Sequence, residues 1–426
     1  MKVKIHPASW TQPRTVQIPP SKSLAHRWIV CASLADGVSR LENIAYSEDI
    51  LATMEGMRRL GAQIEAGEHS VTIRGISGPP CVEGEEPVDC NESGSTLRFL
   101  IPLCSLSGRP VAFTGRNRLL KRPQGVYEAL YRERGLSFVQ DGEKIAVQGA
   151  LAPGRYELDG NVSSQFISGL LFALPLLPED SVIAIRPPVE SRSYLELTMQ
   201  AMEQFGVTAR FTDAHTLHIP GGQTYRPHSG AVEGDFSQLA FFAVLGAAAG
   251  DIRCIGVRPD SRQGDKVILD ILRQAGASVQ ECPGGYLVQK GALTGMQIDL
   301  ADCPDLGPIL MVLAGCAQGE THISHVARLR YKESDRIAAM QQELEAFGVS
   351  MRAEEDDIFL PGGGLRPCKR ELWAHTDHRI AMSMAVAAVC SGAPAVLAGA
   401  ECVRKSYPGF FEDLQAVGIP VEVLEP

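Results

Sequence analysis

Stretches such as DILATMEGMRRLGA and RIAAMQQELEAFGV carry apolar residues at spacings of three and four, the pattern of a helix with one buried face. Each such stretch runs into a glycine, at Gly61, Gly135, Gly206, Gly276, Gly348 and Gly418, at intervals of 70 to 74 residues. A glycine there reads as a left-handed helix C-cap. A second series of turns, at Gly37, Gly108, Pro178, Gly250, Gly319 and Gly392, closes an earlier and more uniformly apolar helix in each interval. Strict alternation around polar turns in AQIEAGEHSVTIRG, LSFVQDGEKIAVQG and VSMRAEEDDIFLPG predicts a hairpin after the amphipathic helix. The chain is therefore six copies of strand, apolar helix, strand, amphipathic helix and hairpin. Solenoid repeats run to roughly 20–50 residues, so these larger α/β units are predicted to gather in threes into two globular halves.

The sixth copy stops at VEVLEP, short of a full hairpin, whereas residues 1–20 precede the first copy. The N-terminal segment is therefore expected to complete the last copy's sheet. One half would be residues 21–232, the other residues 1–20 with 233–426. Two chain crossings make a natural hinge, and a cleft is where a ligand is expected.

Composition narrows the functional class. At 426 residues, 45% hydrophobic and 21% charged, the chain is a folded protein too long for one core. A net charge of −10 argues against a sequence-independent nucleic-acid binder and requires any basic cluster to be local. The most apolar window, IAMSMAVAAVCSGAPAVLAGA, is broken by Ser, Gly and Pro and reads as helix, turn and strand rather than a membrane span. The N-terminus has no apolar core of signal-peptide type. Eleven cysteines without any C-x-x-C pair give no zinc or iron–sulfur spacing, and Cys31, Cys104, Cys316 and Cys390 lie in apolar helical patterns, where burial is expected. A reducing, cytoplasmic setting fits this usage.

The polar residues collect ahead of the first helix of every copy, in PPSKSLAHR, NESGSTLR, GNVSSQF, EGDFSQL, CPDLGPI and HTDHRIA. Packed side by side, six such helix starts would turn their free N–H groups and dipoles toward one anionic ligand, although any one cluster is equally a helix cap. Lys22, Arg27, Arg98 and Arg379 lie in these clusters, and further cations stand in LLKRPQG, VESRSYLEL, RLRYKESDR and VRKSYPGFF. Two acids among them, Asp305 and Glu333, could exchange protons with a bound anion.

Taken together, PPSKSLAHR, SSQF, SRSY, PD before an apolar helix, KESDR, DHR and KSYPGFF resemble the 5-enolpyruvylshikimate-3-phosphate synthase family, in the family's order from residue 19 to about residue 411. The resemblance implies two similar domains, each of three βαβαββ repeats, with the active site in the cleft between them. It implies transfer of the enolpyruvyl group of phosphoenolpyruvate to the 5-hydroxyl of shikimate 3-phosphate through a tetrahedral intermediate, with release of phosphate. No metal or organic cofactor is implied, and a monomer acting on small molecules is. By motif, Ser23, Arg27, Ser163, Ser164, Gln165, Ser191, Tyr194, Asp305 and Lys332 correspond to the shikimate 3-phosphate site. Lys22, Gly94, Arg122, Gln165, Arg336, Arg379 and Lys405 correspond to the phosphoenolpyruvate site. Asp305 resembles the base and Glu333 the acid, with Lys22 the third catalytic group and His378 and Lys332 tuning the charge. Gly94 is the position associated with glyphosate sensitivity. The chain departs from the common pattern at Ser93 and Ser95, where alanine and threonine are frequent, and at Arg328, where some members have asparagine.

The related UDP-N-acetylglucosamine enolpyruvyl transferases usually carry a reactive cysteine or aspartate in a loop of the second copy; GRNRLLKRPQG has neither. A non-catalytic anion-binding protein on the same scaffold should lack one of Asp305, Glu333 and Lys22, and all three are present.

Overall fold

A computed structural model of the chain describes residues 1–76, 80, 82, 84 and 86–424. The last two residues of VEVLEP lie outside the described residues. The chain folds as two compact units, Lys22–Val232 and Met1–Ser21 with Glu233–Pro426, which hold repeats 1–3 and 4–6. Repeats 1–3 carry helices α1 (Lys22–Leu34) and α2 (Glu48–Arg59), α3 (Gly94–Cys104) and α4 (Gly125–Glu133), and α5 (Ser164–Ala173) and α6 (Arg192–Gln204). Repeats 4–6 carry α7 (Phe236–Ala248) and α8 (Ile268–Ala275), α9 (Gly307–Cys316) and α10 (Arg336–Glu345), and α11 (His378–Cys390) and α12 (Phe410–Ala416). Among the described residues the strands form six four-stranded sheets.

The second repeat shows the plan. Strand Val88–Asp89 pairs parallel with Val111–Thr114, which pairs antiparallel with Ile145–Gln148, and Ser137–Gln140 closes the hairpin. A helix joins the two parallel strands because a parallel pair needs a crossover connection. The glycines that end the amphipathic helices have positive φ in all six repeats, between 68° and 108°.

The ends of the chain depart from expectation. Strand β1 (Lys2–Ile5) does complete the sixth sheet, lying antiparallel between Ala395–Ala398 and Val421–Leu424. Strand β2 (Arg14–Gln17) instead opens the fourth sheet, parallel to Ile252–Ile255. The intervening HPASWTQP, with a proline near each end, cannot continue the ladder and redirects the chain. Repeats 1–3 use the same device: Gly230–Ala231 supplies the opening strand of the first sheet, parallel to Val38–Glu42. The first sheet of repeats 1–3 is thus opened by a strand from the end of its own segment, and the fourth and sixth sheets each take a strand from the N-terminal segment.

Helices α7, α9 and α11 are buried almost all round, as expected where apolar residues cover every face. Each unit has its own continuous apolar core. The ten described cysteines are free thiols. Cys31 and Cys104 are buried, but Cys316 and Cys390 are partly exposed, because each is the last residue of its helix, where the core gives way to solvent. Among the described residues no helix is long and apolar enough to cross a membrane.

Candidate active site

Several of the polar helix starts are helix caps. Ser93 and Ser163 cap α3 and α5, and Asp235 and Asp377 cap α7 and α11, each accepting backbone N–H bonds from its first turn. The two units differ in what those caps do to charge. Neutral serines leave the positive end of the helix dipole available in repeats 1–3, whereas the carboxylates of Asp235 and Asp377 offset it in repeats 4–6.

In repeats 1–3 the starts of α3 and α5 meet at Gln165. Its Oε1 accepts Arg98 Nη1 at 2.7 Å, and its Nε2 donates to Ser95 Oγ at 2.9 Å. Gly94, the first residue of α3, lies under this group. A Cβ there would stand 3.0 Å from Arg122 Nη1, 3.3 Å from Gln165 Oε1 and 3.6 Å from Arg98 Nη1. The glycine therefore lets a buried arginine fork and an amide approach a helix N-terminus. Ser164 follows the Ser163 cap and is buried.

Lys22 opens α1 and pairs with Asp49 Oδ2 of α2 at 2.7 Å. Further along α1, Arg27 is buried and spends three donors on the protein: Nε to Thr198 Oγ1, Nη1 to Ser23 O and Nη2 to Tyr194 O. Burial brings its guanidinium down to about 10. Arg27 is thus a clasp between α1 and α6 that brings Ser23 and Tyr194 together; a guanidinium has five N–H groups, so the clasp does not use them all. Ser191, just ahead of α6, is buried and held left-handed at φ 56° and ψ 37°, and its side chain does not cap the helix. A non-glycine residue held in that region costs on the order of 1–3 kcal/mol.

In repeats 4–6 one carboxylate gathers three cations. Asp305, in the short turn before α9, accepts Arg379 Nη2 at 2.9 Å, Lys332 Nζ at 3.2 Å and Arg336 Nη1 at 3.4 Å. Arg379 Nη1 also holds the Asp305 backbone carbonyl at 3.0 Å. Burial alone would push the Asp305 carboxyl up, but Arg379, Lys332 and Arg336 outweigh it and hold it well below the usual carboxylate range. Burial pulls the Lys332 ammonium down even though Asp305 faces it. Glu333 Oε2 accepts Arg336 Nη2 at 2.8 Å. Lys405 is buried and donates to Thr376 O at 2.7 Å. That carbonyl belongs to a left-handed pair, His375 (φ 52°) and Thr376 (φ 54°), leading into the α11 cap. His378, in the first turn of α11, is buried, and after Arg336 it is among the groups that hold the Asp377 carboxyl down.

Several residues of these clusters carry no distinctive sequence signal. Asp377 is fully buried and takes Arg336 Nε at 2.8 Å, Ser334 Oγ at 3.0 Å and the Arg379 N–H at 2.9 Å. Its sequence signal is the aspartate of the DHR motif, which by itself reads as a cap and gives no hint of the buried arginine it holds. Asp49 reads as an ordinary first-turn acid until Lys22 is seen against it. Asp265, in the turn before α8, is buried and accepts the Ser237 hydroxyl; burial, then the charge of Asp305, pushes its carboxyl up to about 7. Arg328 donates to the Ala301 carbonyl at 2.6 Å, so one of its donors ties its loop to the turn before Asp305. Among the described residues no group of His, Cys, Asp and Glu is arranged to hold a metal ion.

A family model described as EPSP synthase (3-phosphoshikimate 1-carboxyvinyltransferase) matches residues 11–414. A 3-phosphoshikimate 1-carboxyvinyltransferase of Clostridium kluyveri is 43% identical over 407 residues, 95% of this chain and 94% of that one. One of Clostridium perfringens is 42% identical over 412 residues, 95% of this chain and 96% of that one. Among solved structures, an EPSP synthase from Acinetobacter baumannii matches with a TM-score of 0.79 at 26% identity, covering 99% of this chain and all of that one. The enolpyruvyl transferase NikO from Streptomyces tendae matches with a TM-score of 0.79 at 15% identity, covering 99% of this chain and 98% of that one, a likeness of fold alone.

Proposed function

The chain belongs to the EPSP synthase family, and on that premise we propose that its two cation-rich clusters serve one reaction, transfer of the enolpyruvyl group of phosphoenolpyruvate to the 5-hydroxyl of shikimate 3-phosphate. The observation that carries the reading is the Asp305 carboxylate held by Arg379, Arg336 and Lys332, a base packed among the cations an anionic donor needs. Repeats 1–3 supply the shikimate 3-phosphate contacts Ser23, Arg27, Ser163, Ser164, Gln165, Ser191 and Tyr194. Lys22, Gly94, Arg122 and Gln165 bind phosphoenolpyruvate together with Arg336, Arg379 and Lys405. Repeats 4–6 carry the acid–base pair.

As held, Asp305 is a weak base, because three cations favour its ionised form. Phosphoenolpyruvate brings its own carboxylate and phosphate to Arg336 and Arg379. Those anions take over the guanidinium forks and leave Asp305 with less positive charge, so its proton affinity rises as the donor binds. Asp305 then accepts the 5-hydroxyl proton as the oxygen bonds to C2 of the donor, and Glu333, in its protonated form, gives a proton to the methylene carbon. Drawing Arg336 toward the donor carboxylate also frees Glu333 to hold that proton. The tetrahedral adduct collapses when the methyl group returns a proton to Glu333, the C2–O bond to phosphate breaks and the departing phosphate takes the proton held on Asp305, giving the enol ether with both carboxyl groups back in their starting states. Every step is a proton transfer or a bond exchange at C2, so the chemistry needs no metal or redox cofactor. The same reading has the protein act as a cytoplasmic monomer, which light scattering tests against the chain mass of 45.9 kDa.

The direct test is phosphate release with phosphoenolpyruvate and either shikimate 3-phosphate or UDP-N-acetylglucosamine as acceptor. Release with the first alone is expected; release only with the second would overturn the assignment.

A further inference from the structure

A chain of four polar side chains runs through the buried interior of repeats 1–3. His26 Nδ1 lies 2.7 Å from Thr53 Oγ1, Thr53 Oγ1 lies 2.6 Å from Thr96 Oγ1, and Thr96 Oγ1 donates to Ser93 Oγ at 2.7 Å. These residues belong to α1, α2 and α3 and to the cap of α3, so the chain stitches three helices just below their polar ends. All four are buried.

The last bond sets the direction of the others, because each hydroxyl has one proton to give. Thr96 spends its proton on Ser93, so Thr53 must donate to Thr96. With the Thr53 proton spent, His26 must donate to Thr53 from Nδ1–H. His26 is then the neutral Nδ1–H tautomer with a bare Nε2, and Nε2 indeed has no hydrogen-bond partner among the described residues. Burial, with Lys22 and Arg27 nearby, holds the imidazole well below its ordinary value and keeps it neutral.

Ser93 stands at the end of this chain. Its oxygen accepts both the Thr96 hydroxyl and the Thr96 backbone N–H at 3.1 Å. Two acceptances leave the remaining position on the oxygen to its own proton, and among the described residues that proton has no acceptor. An uncompensated buried donor is costly, so the site is built for an acceptor that the chain does not supply. Ser93 immediately precedes Gly94, over which Arg122, Gln165 and Arg98 converge.

We propose that Ser93 is an additional donor to the anionic group of phosphoenolpyruvate bound at Lys22, Gly94 and Arg122, and that His26, through Thr53 and Thr96, is a positioning residue that keeps the Ser93 proton directed at it. The proposal rests on the reading of that site as the phosphoenolpyruvate site. An alanine in place of Ser93 would offer the same backbone and no donor, so Ser93 adds strength without changing the reaction.

The test compares Ser93→Ala, Ser93→Thr, Thr53→Val and Lys22→Met in the full-length enzyme. Hydrogen bonds to charged groups support a rise of about tenfold to a hundredfold in the KM for phosphoenolpyruvate in Ser93→Ala. The dissociation constant of shikimate 3-phosphate, measured alone by calorimetry, should stay within twofold. Ser93→Thr, which keeps hydroxyl and cap, should restore the parent KM. Thr53→Val leaves the cap intact and should raise the same KM about threefold to tenfold by releasing the Thr96 proton. A Ser93→Ala KM within twofold of the parent, or equal losses for both substrates in Thr53→Val, overturns the proposal. If Lys22→Met also leaves the phosphoenolpyruvate KM unchanged, the site reading itself has failed; if Lys22→Met raises it and Ser93→Ala does not, only the role of Ser93 has. Independently, nitrogen-15 NMR should find His26 neutral with Nδ1 protonated and Nε2 bare; an Nε2–H tautomer reverses the donors and refutes the chain.

Discussion

Asp377 is fully buried and holds Arg336, itself only 1% exposed, through Nε at 2.8 Å and Nη2 at 3.3 Å. Replacing it with asparagine removes the charge and little volume. The cap on α11 should survive, since asparagine caps as well as aspartate. The Ser334 bond, to a charged group, is worth about 1.5–3 kcal/mol and is partly retained by the asparagine amide oxygen. The main loss is the buried ion pair, for which removing one partner costs about 3–5 kcal/mol. Glu333 and Asp305 still face the guanidinium, so a net destabilisation of about 2–4 kcal/mol is expected. Urea unfolding followed by circular dichroism measures it. The pH dependence follows from the lowered folded-state value: burial would raise the Asp377 carboxyl, but Arg336 holds it down. A depressed carboxylate contributes its stability above the unfolded value of about 3.9 and loses it as pH falls through the folded one. The gap between parent and Asp377→Asn should therefore be constant from about pH 5 to pH 8 and close only in stronger acid. A gap under about 0.5 kcal/mol at pH 7, within the usual range for surface substitutions, would refute the claim that Asp377 holds Arg336 in place.

Other outcomes follow from the same geometry. Asp305→Asn and Glu333→Gln should each retain substrate binding by calorimetry while kcat falls by about two to four decades; a loss under fivefold would remove either from proton transfer. Glyphosate should compete with phosphoenolpyruvate at saturating shikimate 3-phosphate, and Gly94→Ala, whose Cβ would press within 3.0 Å of Arg122 Nη1, should weaken both, seen as a raised inhibition constant and KM. Undiminished turnover with glyphosate well above phosphoenolpyruvate would sink that expectation. Glu343 is buried and binds Arg370 at 2.9 Å, His375 at 2.9 Å and the Trp373 N–H at 3.2 Å, steadying the left-handed turn before Asp377. Glu343→Gln should cost about 1–3 kcal/mol in urea unfolding and raise the phosphoenolpyruvate KM; a stability loss with an unchanged KM would separate that turn from the site.

The periodic features were legible because they are local. Apolar spacing, the six capping glycines and the hairpin alternation each follow from one stretch of backbone and the side chains beside it, and the α/β repeat count came from them alone. Lys22, Arg336, Arg379, Asp305 and Glu333 stood out as charges crowded at helix starts in an acidic protein. The family motifs added the substrates and the roles.

Only the tertiary structure decided which charges meet. β2 went to the fourth sheet, and Gly230–Ala231 to the first, because strand pairing joins residues far apart in the chain and leaves no periodic trace. Arg27, a cation of the first helix start, also clasps α6, since Thr198 and the Tyr194 carbonyl reach it from about 170 residues away. Asp377, Asp49 and Asp265 read as ordinary helix-end acids until packing set cations or another carboxylate against them. Charge and periodicity are written along the chain, but what a charge does depends on its dielectric and its neighbours, and folding alone brings those together.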